Sequence, residues 1–189
     1  MSFDLIAWYV VAFWICFRVT LVIAKPRIAL GVAGGVALAS LILPSMTPLM
    51  TAVFAPFGFL LPALAIRDVV GRSWIKIAPF HVLEVAAAMI AASLFIAASI
   101  GVFTFDPYRL GYGPIIPGTL ALAGILWTCY RRHFVITAAI LAAQITWSFG
   151  FLSPNFFDLV LHALVVPVCA VWLVKWIIAG LLHQFRSAG

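Results

Sequence analysis

The chain has 189 residues, of which 66% are hydrophobic and 8% charged, with a net charge of +6. A soluble domain carries about 25% charged residues and must present a largely polar surface. A water-soluble fold of this length is therefore excluded, and one integral membrane domain over residues 1–189 is expected.

The net positive charge would suggest nucleic acid in a soluble protein. Here the basic residues sit in short segments between apolar runs. Orientation in the membrane and contact with anionic headgroups on the cytoplasmic side explain them better, and no nucleic-acid partner is expected. Cys16, Cys129 and Cys169 are isolated within apolar runs, so neither a zinc site nor a redox pair is indicated, and no metal or cofactor is expected. The first residues carry Asp4 rather than a positive charge, and no small-x-small cleavage site precedes Lys25. They read as a first span, not a signal peptide.

Seven apolar runs follow in order: Asp4 to Ala24, Ile28 to Leu43, Leu49 to Ile66, Ile77 to Phe103, Pro114 to Tyr130, Phe134 to Leu152 and Phe157 to Leu182. A membrane crossing takes roughly 20 apolar residues. An open strand edge cannot face hydrocarbon, and the runs are too long and too unalternating for barrel strands. The expected fold class is all-α, a polytopic transmembrane helix bundle of seven spans.

The charges fit that number. Lys25 and Arg27, then Arg67, Arg72 and Lys76, then Arg131 and Arg132, then Arg186 fall on one side. The other side has Asp4, Asp106, Arg109 and Asp158. Basic residues collect on the cytoplasmic face, so the amino terminus is expected outside and the carboxyl terminus inside, in a bacterial inner membrane.

Small residues recur at four-residue spacing: Gly31 and Gly35 followed by Ala39, Ala87 and Ala91, Ala88 and Ala92, Ala138 and Ala142, Ala139 and Ala143. Such faces let helices approach closely in lipid, within the chain or in a membrane-protein partner, though an alanine-rich chain yields some by composition. An internal repeat is also visible. Trp14-Ile-Cys16-Phe-Arg18 matches Trp127-Thr-Cys129-Tyr-Arg131, Pro48 matches Pro154, and Pro62 roughly matches Pro167. Chance similarity between apolar segments is the other explanation. A 3+1+3 parallel repeat resembles sugar-efflux and Pro-Gln-loop transporters in outline, which places a solute site between the halves. The Pro-Gln dipeptide of that family is absent, as is the Gly-Ser-Gly-Asn loop of seven-span acyltransferases.

Few polar residues remain as site candidates. His81 and Glu84 begin the fourth run three residues apart. They read either as a pair facing a cytoplasmic cavity or as ordinary headgroup-zone residues with Glu84 on a nearby arginine. Asp158 and His162 are four apart, which would put them on one helix face. They read either as part of an outer vestibule with Arg109 or as a solvated helix start. Gln144, Thr146, Trp147 and Ser148 form the uncharged polar cluster within a span, and Pro56, Pro62 and Pro167 are expected to break helices and free carbonyls. Arg18 and Lys175 lie within spans near the cytoplasmic end, suited to snorkelling, to an anionic lipid or to a substrate anion. A lysine in the seventh span resembles retinal proteins, without their counter-ion on the third.

The expected function is small-solute transport through a permease-like bundle. Gln144, Thr146 and Trp147 would line the site, with His81 and Glu84 coupling it and Asp158 and His162 at its outer mouth. The alternatives are a non-catalytic subunit or assembly factor of a larger membrane complex, and a lipid-modifying membrane enzyme. No complete catalytic set is visible, so an enzyme is the least favoured of the three.

Overall fold

The computed structural model describes residues 3–42, 58–74, 77 and 79–187. Among these the chain is all-helical, with no strand. The helices are α1 (Phe3–Thr20), α2 (Pro26–Ile42), α3 (Leu60–Ser73), α4 (Val82–Ser99), α5 (Ile115–Tyr130), α6 (Phe134–Ser148), α7 (Phe156–Val160) and α8 (Val165–Ser187), with a 3-10 turn over Pro107–Tyr112. Two of them, α1 and α4, are long and apolar enough to cross a membrane; α2, α5, α6 and α8 carry shorter apolar stretches.

Prolines mark helix starts. Leu60-Leu61-Pro62, Ile115-Ile116-Pro117 and Val165-Val166-Pro167 each open a helix with proline in third place. First-turn N–H groups have no partner within the helix, so proline loses no bond there. Its ring also clashes with the carbonyl four residues back, which stops the helix from extending further upstream. This corrects the expectation for Pro62 and Pro167, which interrupt no helix; Pro56 lies outside the described residues. It also divides the seventh run, expected to be continuous from Phe157. α7 ends at Val160, Leu161 is extended with ψ 149°, and α8 begins only at Val165.

Helix ends are set just as locally. After α4, α5 and α6 the chain takes one left-handed residue, Gly101, Arg132 and Gly150, with φ of 86°, 60° and 68°. Each end carries the paired N–H to carbonyl bonds of a Schellman turn, such as Gly150 to Trp147 and Phe151 to Thr146, both 2.9 Å. α6 therefore stops at Ser148, short of the expected Leu152, and α4 at Ser99, short of Phe103.

The helices group into two compact units. The first comprises Met1–Ala78 and Gly111–His162. In it Phe17, Ala29, Ala33 and Val69 form a buried cluster joining α1, α2 and α3. The Phe3 and Phe59 rings, at the starts of α1 and α3, are 4.4 Å apart. Arg18 and Asp68, toward their ends, are also in contact. α1 and α3 thus run parallel, and α2 returns antiparallel after the tight turn at 21–25. α5 and α6 form a hairpin about Arg131 and Arg132, tied by the buried hydroxyls of Thr128 and Thr137 at 2.8 Å. At the opposite end α7 closes on the start of α3, where Phe59 N–H donates to the Leu159 carbonyl at 2.6 Å. In the second unit, Pro79–Leu110 and Ala163–Gly189, α4 packs along α8.

The small-residue faces divide. Ala139 and Ala143 on α6 are buried. Gly31, Gly35 and Ala39 lie on the exposed side of α2, opposite the buried Ala29 and Ala33. Ala87 and Ala91 on α4 are exposed as well.

Gly111 is packed against the Asn155 side chain and the Phe157 ring, leaving no room for a methyl group. Gly111→Ala is expected to cost about 1–3 kcal/mol, as overpacking does. Gly118→Ala on α5, which meets nothing within 4 Å, should be neutral or stabilising. Thermal unfolding in detergent, followed by tryptophan fluorescence, separates the two.

Candidate functional site

Polar contact between distant helices converges on Asp68 of α3. Its Oδ2 accepts the Trp14 indole N–H at 2.9 Å and lies 3.5 Å from Arg18 Nη1. Its Oδ1 accepts Arg72 Nε at 2.9 Å. Trp14 and Arg18 reach the carboxylate together because residues four apart share a helix face. Arg72 reaches it by the same spacing on α3. The Asp68 side chain is 26% exposed and Arg18 27%, while Arg72 is 48% exposed. Two cations therefore share one anion in a partly dehydrated setting, where charge-assisted hydrogen bonds are stronger than neutral ones.

The surroundings are basic and apolar at once. Lys25 and Arg27 follow the α1–α2 turn at this end and are exposed. Val22 and Ile23 in the turn are 83% and 87% exposed. Thr20 returns its hydroxyl to the Cys16 carbonyl at 2.8 Å.

Asp68 was not among the expected site residues, because the 67–76 stretch reads as a loop. Arg67 and Arg72 instead lie within α3. The sequence does hold a signal: an aspartate four residues before an arginine supports a helix and an ion pair. Arg18, expected to snorkel, pairs with Asp68 across α1 and α3.

Several residues that the sequence singled out serve helix ends. His81 caps α4: its Nδ1 accepts Leu83 N–H at 3.3 Å, and Glu84 Oε2 accepts His81 N–H at 2.6 Å. Each satisfies a backbone donor that the helix start leaves over. Trp147 donates its indole N–H to the Pro154 carbonyl at 3.0 Å and meets the Phe156 ring edge-on. Gln144 and Ser148 bond to each other one turn apart, Ser148 Oγ donating to the Gln144 carbonyl at 2.8 Å. Gln144 Oε1 is buried and has no partner among the described residues. Thr146 is half-buried on the same last turns of α6, so the cluster sits at a helix end rather than deep in a span.

Asp158 accepts the Ser153 hydroxyl at 2.7 Å in the first turn of α7, which the buried Asn155 caps by accepting Phe157 N–H at 2.9 Å. α7 ends before His162, so one helix face does not carry both Asp158 and His162, contrary to the expected i, i+4 pairing. Lys175 is exposed on α8, and Arg109 is exposed in the 3-10 turn. His133 is buried at the start of α6, where its carbonyl accepts Ile136 N–H at 2.9 Å. No three His, Cys, Asp or Glu side chains cluster as a metal site among the described residues.

Comparison with protein-family models, with curated proteins and with solved structures gives no match. What the arrangement can do rests on its own chemistry. Asp68→Asn leaves Arg18 and Arg72 without their anion and is expected to lower stability by about 1–3 kcal/mol. Adding Arg18→Gln removes one of the stranded cations, so the double variant should melt above the additive expectation. Thermal unfolding of the four proteins in one detergent measures the coupling; strict additivity would contradict a shared carboxylate.

Proposed function

We propose that the chain is a seven-span protein of a bacterial plasma membrane, with its amino terminus outside, and that it serves as a non-catalytic subunit or assembly factor within a larger membrane complex. One observation carries this reading. Gly31 and Gly35 lie on the exposed side of α2, with no described atom within 4 Å of where a Cβ would stand. Glycine in a helix interior costs about 1 kcal/mol relative to alanine, and lipid chains gain nothing from it. A closely approaching helix does.

The occupant is a transmembrane helix of another membrane protein. Small residues lie exposed on α2 in one unit and on α4 in the other, which offers a partner more than one face. The parallel course of α1 and α3 supports an odd number of crossings between the end of α1 and the start of α3, as the charge asymmetry requires.

The second reading, a small-solute permease, is favoured by the break between α7 and α8 and by the buried Gln144 Oε1, which has no partner among the described residues. Interrupted helices are where transporters place their sites. Its site would use Gln144, Thr146 and Trp147.

Gly31→Leu and Gly35→Leu test the first reading. Captured from native membranes, the wild type should carry a fixed-stoichiometry membrane protein that both variants lose while keeping their melting temperature. A mass equal to two copies of this chain, or retention of the partner by both variants, contradicts it. For the second reading, purified protein in liposomes should pass small polar solutes, and Gln144→Leu should abolish the flux. No flux above empty liposomes rules it out as the sole role.

A further inference from the structure

Two arginines on one carboxylate leave a positive charge over. Arg72 engages Asp68 through Nε and Arg18 through one Nη, so among the described residues the remaining guanidinium nitrogens are left for a second acceptor. Lys25 and Arg27 add two exposed cations at the same end of the α1–α2–α3 group. An unbalanced, half-dehydrated pair of guanidinium groups calls for an anion, and their fork geometry suits a phosphate.

We propose that Arg18 and Arg72, held in register by Asp68, bind the phosphate of an anionic phospholipid at the cytoplasmic surface. The neighbouring α1–α2 turn decides the source of the phosphate. Val22 and Ile23 are almost fully exposed beside Lys25. Apolar side chains next to cations fit the boundary between acyl chains and headgroups, where each basic residue gains from the negative leaflet. A soluble anion has no use for that apolar surface. Trp14 ties this end to the core, since its N–H is fixed on Asp68 while its side chain packs against the buried Phe17 cluster. Asp68 acts as the positioning residue: it keeps the two arginines from repelling each other and leaves one net charge for the lipid.

The site rests on the reading of the chain as a membrane protein, and the test separates the two. Wild-type protein in detergent is titrated with phosphatidylglycerol and with phosphatidylcholine, and bound lipid is counted by native mass spectrometry. The wild type should prefer phosphatidylglycerol, and the Arg18→Gln, Arg72→Gln double variant should lose roughly tenfold in that affinity. Helix content and elution volume check that the double variant is folded. Lys25→Gln with Arg27→Gln, which changes exposed residues only, should lose less. Equal loss in both double variants, or no preference between the lipids, overturns the site. So does full displacement by inorganic phosphate, which would assign it to a soluble anion. Recovery of the protein from membranes without detergent would instead overturn the membrane reading.

Discussion

A single carboxylate joins α1 and α3 of the first unit. Asp68 holds Trp14 and Arg18 of α1 and Arg72 of its own helix, 54 residues of chain separating it from the tryptophan. Apolar packing alone fixes neither the register nor the rotation of helices in lipid, because a leucine gains little by leaving hydrocarbon for protein. A charge-assisted contact does fix them, since an unpaired charge there is costly. Below it, Phe17, Ala29, Ala33 and Val69 bring α2 into the same group. The Phe3–Phe59 contact closes the other end.

Away from Asp68, polar side chains mostly finish helices. His81 and Glu84 start α4, Asn155 starts α7, and Trp147 ties the chain after α6 to Pro154. Each free N–H or carbonyl taken out of water is expensive, so a chain with few polar residues uses them at helix ends first. This economy separates the two functional readings. A permease needs polar groups beyond those the backbone consumes, whereas a helix-packing subunit needs small residues that its own fold leaves uncovered, and no described residue covers Gly31 or Gly35.

Much of the helical layout was legible in the sequence, because apolar runs bounded by charges are the dominant signal in such a chain. The starts of α1, α2, α5 and α6 fall within two residues of the expected ones. Errors arose where a local rule outranked hydropathy. Schellman turns at Gly101 and Gly150 end α4 and α6 while the apolar run continues. Pro167 sets the start of α8 inside another run. α3 extends through Arg67, Asp68 and Arg72 because the Asp68–Arg72 pair supports a helix where hydropathy alone ends one. Asp68 went unrecognised because the 67–76 stretch reads as a loop, and no spacing rule reaches its partners on α1. The apparent repeat also loses its chemistry in the second copy. Trp127 and Arg131 match Trp14 and Arg18, but Leu173 stands six residues past Pro167, where Asp68 stands six past Pro62.

In the proposed topology the parallel α1 and α3 carry their basic ends to one membrane face, together with the turn between α5 and α6. In a cysteine-free background, single cysteines at Lys25, Arg132 and Gly113 can be probed with a membrane-impermeant maleimide on intact cells and on inverted vesicles. Labelling of the first two only in inverted vesicles, and of the third only on intact cells, is the predicted result. Labelling of Lys25→Cys and Arg132→Cys from opposite faces would contradict the account.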